Sequence, residues 1–286
     1  MKHVSAGAAA LGPALGLALG LALAAPPAWA SAWTLPQGQG QAIVTGVHSH
    51  SDKGFDTDGE VIDIADYTKD ELYLLVEYGV TDALTVIVNP SIRHVSAEGG
   101  EETSGFGYTE LGARYRLAQG GRFVASVQGS ARIPGERRRD SLAQVGTSGM
   151  EYDVRGLVGT GFELGGAPGF VDLQGGYRVR EGGPPNEFRL DATLGIRPAP
   201  RVQLFAQSFS TFSDGAGGAA YPAYRYHNAY LSGVYELNAN WSVQLTGLAT
   251  LGGENALRER GVSAGLWYRF GGSGGRSVPP PLMPGR

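Results

Sequence analysis

The chain has 286 residues and no cysteine, so disulfides contribute nothing to its stability. Only 17% of its residues are charged, fewer than the roughly 25% of an average soluble domain. The formal charge is −4, and removal of Lys2 with the leader predicted below makes it −5. A net negative chain gives no indication of nucleic-acid binding.

The first thirty residues have the pattern of a secretory signal peptide. Lys2 and His3 form a short basic start, and residues 8–25 are an almost uninterrupted run of Ala, Leu and Gly. Ala28 and Ala30 supply the small residues of a signal-peptidase site, so we expect cleavage after Ala30. A retained membrane helix fits less well, because no basic cluster follows the run. No other stretch holds the ~18 consecutive apolar residues of a membrane helix.

From residue 40 onward one unit repeats: about 10–12 residues that alternate apolar and polar, then a break rich in Gly, Pro, Asn or Asp. Even strand numbers and lengths of about 9–11 residues are typical of bacterial membrane barrels. Ten or fourteen strands stay open, because the first stripe is weak and Pro90 removes a ladder donor, which indicates a bulge or an early strand end. The twelve predicted strands are 40–50, 69–79, 84–95, 107–117, 122–133, 152–163, 170–180, 187–197, 201–212, 225–237, 241–251 and 261–270.

The breaks between these segments alternate in length, beginning with a long acidic break at 51–68 and a short one at 80–83. Long extracellular loops and short periplasmic turns give this asymmetry in outer-membrane proteins, whereas a soluble sandwich has no reason for it. We therefore predict an all-β, transmembrane, antiparallel up-and-down β-barrel in the bacterial outer membrane. Its predicted parts are a signal peptide (1–30), a periplasmic amino-terminal segment (31–39), the barrel (40–270) and a disordered Pro/Gly-rich periplasmic tail (271–286).

Apolar and charged residues separate onto opposite faces of the predicted strands. In segment 187–197, Phe188, Leu190 and Leu194 alternate with Arg189 and Asp191. A basic residue on the lipid face at mid-depth costs roughly 2–4 kcal/mol, so the charged stripes are expected to line the lumen. The candidate selectivity residues are Glu110, Arg114, Arg116, Arg132, Asp153, Arg155, Asp172, Arg178, Arg189, Asp191 and Arg197.

Aromatic residues of the apolar stripes concentrate at strand ends, where amphipathic rings settle at headgroup depth. On the loop side these are Tyr152, Tyr177 and Phe188. On the turn side we expect an interfacial girdle of Tyr78, Tyr115, Phe123, Phe162, Tyr235, Trp241, Tyr268 and Phe270.

The final strand resembles the terminal assembly signal of outer-membrane proteins. This resemblance implies recognition by the barrel-assembly machinery, although sixteen residues follow Phe270. The signal would consist of Val262, Ala264, Leu266, Tyr268 and Phe270.

A charged lumen in a barrel of this size favours a narrow channel for a small-molecule solute, with a closed structural barrel as the alternative. The other expected partners are outer-membrane lipids and lipopolysaccharide. A lipid-modifying enzyme is a third option, but His227 and the other histidines show no nucleophile–base pattern. No metal, cofactor or catalytic residue is predicted. The segment Asp56-Thr57-Asp58-Gly59 looks like part of a calcium loop, but the positions expected for its first and last ligands hold Gly54 and Ala65.

Three short motifs carry a family resemblance: 33–41 (WTLPQGQGQ), 77–85 (EYGVTDALT) and 237–242 (LNANWS). A strand that ends in Tyr-Gly-hydrophobe-Thr-Asp resembles the phenol-degradation meta-pathway outer-membrane family. The resemblance spans the whole barrel and implies uptake of hydrophobic or aromatic small molecules. The sequence therefore predicts an outer-membrane channel for small polar, anionic or aromatic solutes.

Overall fold

Twelve long antiparallel strands form a closed barrel in the computed structural model, which describes residues 31–98, 101–135, 149–218 and 221–272. Each long strand pairs with the next along the chain. The first and last strands then pair from Gly40 opposite Phe270 to His50 opposite Arg260, which closes the sheet. The predicted up-and-down topology with twelve strands is confirmed.

The strands are β1 (Gly40–Phe55), β2 (Val61–Thr81), β3 (Leu84–Ala97), β4 (Glu101–Gly120), β5 (Phe123–Pro134), β6 (Glu151–Leu164), β7 (Ala167–Arg180), β8 (Glu187–Ala199), β9 (Val202–Ser213), β10 (Arg225–Glu236), β11 (Trp241–Glu254), β12 (Ala256–Leu257) and β13 (Arg260–Phe270). The two-residue β12 lies beside the outer end of β1. In the described part of the chain, no helix is long and apolar enough to cross a membrane. The predicted signal peptide and residues 273–286 of the predicted tail lie outside the described residues.

The two faces of the sheet follow the period-2 pattern of the sequence. Along β6, Asp153, Arg155 and Leu157 are buried while Val154 and Val158 are exposed. The exposed side chains of the wall are mostly apolar, and several leucines are about 70% accessible, Leu245 among them. Because water would disfavour so wide an apolar surface, the outer wall is suited to contact lipid.

The two ends of the barrel differ in their connections. At the turn end, the two-residue turns after β4 and β6 contain Gly121 and Gly165, both with φ of +57°. Tight hairpin turns require positive φ, which glycine adopts without strain. At the loop end the longest connections join β5 to β6 and β9 to β10. In β3 the register shifts between Pro90 and Ile92 without ending the strand, in accordance with the predicted bulge.

The strands extend further at the loop end than the sequence predicts. Residues 51–68 were expected to form a loop, but β1 continues to Phe55 and β2 begins at Val61. Lys53 and Asp63 face each other across this hairpin with an Nζ–Oδ1 distance of 2.6 Å. The extension was missed because residues 51–66 do not alternate regularly between apolar and polar residues, and this alternation is the signal that marks a strand in sequence.

Candidate functional site

Residues 31–39 enter the lumen at the turn end and form what we call the amino-terminal plug. The sequence assigns them only to a periplasmic segment, but Ala32 is 0% exposed and Thr34 is also buried. The backbone amide of Ala32 donates to Asp172 Oδ2 at 2.5 Å, and its carbonyl accepts from Ser126 Oγ at 2.5 Å. Ala32 is therefore held between β5 and β7, inside the barrel.

The side chain of Trp33 fixes the plug against the wall. Its ring meets Phe170 edge-on, with ring centroids 5.8 Å apart. The ring also covers Gly159 of β6, where an added Cβ would come within 2.3 Å of the indole. The absence of a side chain at Gly159 therefore provides the space that the indole occupies. The apolar cluster around it contains Ala32, Trp33, Ile43, Leu75, Ile87, Val124, Leu157, Phe170, Phe205, Val234 and Trp267.

Arg114 connects the plug to two strands. Its Nη1 donates to the Trp33 carbonyl, its Nη2 to Glu77 Oε1 and its Nε to Gln128 Oε1, each at 3.0 Å. We predicted this arginine as a selectivity residue from its place on a charged stripe. In the structure its three nitrogens are all engaged with the protein, and it holds the plug.

Two of the three sequence motifs dock onto each other. The Thr34 hydroxyl donates to the Asp82 carbonyl at 2.7 Å, and the Gln37 amide donates to the Asp82 carboxylate at 2.9 Å. Gly79 leaves room for the plug backbone, because a Cβ there would lie 2.2 Å from the Pro36 carbonyl oxygen. The sequence analysis used these motifs only to recognise a family resemblance. The presence of both motifs in one chain was the sequence feature that could have suggested that they contact each other.

The inner wall carries an ion-pair network. Ten basic side chains in the described lumen each lie within 4.0 Å of a carboxylate: Lys69, Arg93, Arg114, Arg132, Arg155, Arg178, Arg180, Arg189, Arg197 and Arg269. Their acidic partners are Glu71, Glu77, Glu110, Glu151, Asp153, Glu187, Asp191, Glu236 and Glu259. The basic residues are therefore neutralised locally.

The densest part of this network joins β6, β7 and β8. Glu187 accepts from Arg180 Nη1 at 3.0 Å and from Arg189 Nε at 3.1 Å. Arg155 contacts Asp153 at 2.8 Å and Asp191 at 2.9 Å. Charge-assisted contacts at these distances are the strong kind of hydrogen bond, so three adjacent strands are cross-linked on their inner face.

The structure brings most of the predicted lumen residues into this network. Arg132 pairs with Glu110 at 2.7 Å, and Arg197 pairs with Glu236 at 2.6 Å. Arg116 is half-buried near the turn end, and Asp172 binds the plug. The part of these residues in selectivity stays a prediction.

The structure adds charged lumen residues to the candidates named from the sequence, among them Lys69, Arg93, Glu151 and Glu259. Glu151 and Glu259 fall just outside the predicted segments. Lys69 and Arg93 lie near the loop ends of theirs. Lys69 and Arg93 already fall on the inward stripes of their segments, and an extension of the period-2 count by one or two residues reaches Glu151 and Glu259.

A second group of lumen side chains, centred on the strands away from β6–β8, is apolar and aromatic. Val47, Tyr73, Phe209, Tyr230 and Leu248 form one buried cluster on β1, β2, β9, β10 and β11. The rings of Phe209 and Tyr230 meet edge-on with centroids 5.2 Å apart. The lumen therefore contains an apolar and aromatic cluster in addition to the ion pairs, and β2 and β10 contribute to both.

Part of the predicted turn-side girdle forms a continuous aromatic row. Phe270 stacks on Tyr78 with centroids 6.5 Å apart, and Tyr268 lies 4.7 Å from Trp241. Gly40 sits beneath Phe270, where a Cβ would come within 2.3 Å of the ring. An interfacial role for these rings, and for Tyr115, Phe123, Phe162 and Tyr235, stays a prediction.

The outer wall near the loop end carries two Ser–His contacts that the sequence did not reveal. His94 Nδ1 lies 2.7 Å from Ser104 Oγ, and His227 Nδ1 lies 2.8 Å from Ser210 Oγ. Asp70, the cross-strand neighbour of His94, hydrogen-bonds His48 instead at 2.8 Å. A Ser-His-Asp triad needs the acid on the histidine that serves the serine, and this contact is made to another ring. In the described residues, no group of three His, Cys, Asp or Glu could hold a metal ion.

Solved structures with the same fold are outer-membrane barrels. An outer membrane channel from Pseudomonas putida F1 is 18% identical with a TM-score of 0.67, and the match covers 87% of this chain and 100% of that one. The translocator domain of the autotransporter NalP from Neisseria meningitidis is 12% identical with a TM-score of 0.50, covering 82% and 90% of the two chains. Identities this low show the fold alone. No curated protein matches the chain.

The sequence also matches a protein family over nearly all of the barrel. The matched residues are 34–270, which include residues 77–85 and all of 33–41 except Trp33. The resemblance inferred from those motifs is confirmed, and the chain belongs to the family described as "Putative MetA-pathway of phenol degradation".

Proposed function

We propose that the protein is an outer-membrane channel for small, uncharged or weakly polar solutes that contain an aromatic ring, and that the plug closes its lumen at rest. The observation that carries this proposal is the pairing of the ten basic lumen residues with carboxylates. A solute in the lumen would then meet paired charges together with a cluster of aromatic rings.

The ion pairs of the lumen arginines change which class of solute is expected. Arginine rings select anions in pores when their charge is available to the ion. In this lumen an anion would have to compete with a carboxylate that is already bound, for example Asp153 beside Arg155. Ion selectivity is therefore expected to be weak, and the anionic solutes that an Arg-rich stripe suggested become less favoured than neutral ones.

The aromatic wall supports an aromatic solute independently. Phe209 and Tyr230 present ring faces and edges inside the barrel, and rings stack on each other with a preference beyond simple burial. The family to which the chain belongs is named for phenol degradation, which agrees with this chemistry.

A closed structural barrel is the second candidate, and the plug itself favours it. Ala32, Trp33 and Thr34 are all buried in the lumen, and the plug contacts β3, β5 and β7 through side chains. If the plug never leaves, the barrel transports nothing.

Planar-bilayer recording separates the two candidates. The refolded mature chain should show rare, small openings. A variant lacking residues 31–37 should show a larger and steadier conductance, with a reversal potential near zero in a salt gradient because the lumen charges are balanced. Absence of conductance in both chains, under conditions where a known porin conducts, would support the structural barrel.

Solute preference is measured by liposome swelling with the plug-deleted variant. An uncharged aryl glucoside should enter faster than gluconate, which is similar to glucose in size but carries a negative charge. Glucose is the neutral control without a ring. If gluconate entered fastest, the lumen would act as an anion-selective path and the aromatic proposal would be wrong.

A further inference from the structure

Asp172 differs from the other acidic residues of the lumen. It is 1% exposed on β7, and among the described residues no Lys or Arg nitrogen lies within 4.0 Å of its carboxylate. Its oxygens accept from two neutral amides, Gln174 Nε2 at 2.7 Å and the Ala32 backbone at 2.5 Å. Burial without a directly paired cation disfavours the charged form of a carboxylate, so a nearby positive group would stabilise Asp172.

The residue beside Ala32 is placed to supply that group. The Ser31 nitrogen is one residue from the Ala32 nitrogen, and one residue spans at most about 3.6 Å. It therefore lies within about 6 Å of the Asp172 carboxylate, inside the range over which opposite charges stabilise each other. The Ser31 hydroxyl accepts from the Trp33 amide at 3.3 Å, which ties Ser31 to the plug.

Cleavage of the signal peptide changes the charge of this nitrogen. Hydrolysis of the Ala30–Ser31 peptide bond consumes one water and leaves a carboxylate on Ala30 and an amine on Ser31. A free α-amine has a pKa of about 7.7–8.0 and is protonated for the most part at neutral pH. Before cleavage the same nitrogen is a neutral amide, which cannot balance Asp172.

We infer that Asp172 is the binding site for the α-ammonium group of the processed chain, so that the plug docks fully only after the signal peptide has been removed. Ser126, Gly159 and Arg114 bind the neutral parts of the plug, and Asp172 binds its charged end. The inference rests on the predicted cleavage after Ala30. It does not depend on which solute the barrel passes.

The test removes the charge and leaves the Ala32–Asp172 hydrogen bond in place. In the mature chain, Ser31→Gln followed by treatment with glutaminyl cyclase converts the terminal amine into a neutral lactam. Ser31→Asn is the matched control, because it has a similar side chain, does not form the lactam and keeps its ammonium group. Both variants lose the Ser31 hydroxyl equally.

Docking of the plug is read by acrylamide quenching of Trp33 fluorescence, with Trp33→Phe chains used to subtract the other tryptophans. The lactam chain should have a docking equilibrium weaker than that of Ser31→Asn by at least about tenfold, since a nearby opposite charge shifts a pKa by 1–3 units and each unit corresponds to tenfold. This readout needs no conductance, so its outcome is independent of the proposed channel function.

The same comparison in an Asp172→Asn background completes a double-mutant cycle. There the lactam and Ser31→Asn chains should dock equally, because the carboxylate that distinguishes them is gone. Equal docking of the two chains with Asp172 intact would overturn the inference and leave Asp172 as an acceptor for the Ala32 amide alone. If Asp172→Asn does not fold, the comparison in the native background still decides between these outcomes.

Discussion

At the scale of single residues, the position of the plug in the lumen depends on glycines that leave space for it and on side chains that bind it. Gly159 provides the space for the Trp33 indole, and Gly79 provides the space for the Pro36 carbonyl. Arg114 then binds the Trp33 carbonyl while it neutralises Glu77. The sequence does not single out any of these three residues, because glycine and arginine are frequent in this chain. Their importance follows from what the plug places against them.

Substitution of Gly159 tests whether the plug needs the space that this glycine leaves for the Trp33 indole. Gly159→Ala introduces a methyl group within 2.3 Å of the Trp33 ring, so the ring must move. Overpacking of this kind costs typically 1–3 kcal/mol, which shifts the plug equilibrium roughly 5- to 150-fold toward release. We expect a more frequent open state in bilayer recordings and stronger quenching of tryptophan fluorescence.

Gly156→Ala is the matched control on the same strand. Gly156 faces outward, and no atom lies within 4 Å of its added Cβ. It should leave both measurements unchanged. Equal behaviour of the two variants would show that Gly159 does not seat the plug.

At the scale of elements, each strand pair is held by the backbone ladder and by side chains that cross it. The β6–β7–β8 face is the most heavily charged, with Glu151, Asp153 and Glu187 set among the arginines. Buried pairs of this kind add little net stability compared with apolar residues, but removal of one partner leaves its counterion uncompensated. The network therefore makes the inner wall sensitive to loss of a single charge.

Neutralisation of Glu187 tests this sensitivity. Glu187→Gln leaves Arg180 and Arg189 without their shared carboxylate, and it weakens a hydrogen bond from Tyr224. The expected loss is about 3–5 kcal/mol in the free energy of unfolding, measured by urea titration in lipid vesicles.

Asp63→Asn provides the comparison, because it breaks the Lys53–Asp63 pair in the exposed hairpin. Exposed pairs contribute little, so this variant should unfold at nearly the urea concentration of the parent chain. A Glu187→Gln chain as stable as Asp63→Asn would contradict a structural role for the network.

At the scale of the whole molecule, the barrel reverses the usual distribution of residue types. Large apolar side chains such as Leu231, Leu245 and Leu251 lie outside, and the ion pairs lie inside. In water this arrangement would be unstable, because the apolar surface would remain hydrated. A lipid solvent makes it favourable, and the low fraction of charged residues follows from the same cause.

An arginine in the apolar band tests whether the wall contacts lipid. Leu245 lies in the middle of β11 and is 70% exposed. Leu245→Arg should destabilise the barrel by roughly 2–4 kcal/mol in bilayers, measured as the shift of the unfolding midpoint.

The control for this substitution is Val61→Arg in the hairpin beyond the band, where the native side chain is 46% exposed. Because water surrounds the hairpin, the new charge there should cost little. A similar cost at both positions would argue against a lipid-facing band at Leu245.

The sequence by itself indicated the class of fold, twelve as the favoured number of strands, and which residues of each strand face inward. These features follow from period-2 alternation and turn residues, and both signals are local, as in β6 and β8. Local signals failed at the outer ends of β1 and β2, where the regular alternation is lost. The residues between Ser51 and Thr68 were therefore taken for a loop. They also placed Arg114 and Asp172 on charged stripes without indicating what those residues bind.

Only the tertiary structure decided the partners of those residues. Asp172 binds an amide 140 positions away, and Arg114 binds a carbonyl 81 positions away. Such contacts exist because closure of the sheet brings β2, β5, β6 and β7 around one lumen, into which the amino-terminal segment then fits. Charge on a stripe specifies that a residue faces inward, but the pairing depends on three-dimensional neighbours. For this reason the sequence predicted a charged channel, whereas the structure pairs most of the lumen charges with one another and places residues 32–34 among them.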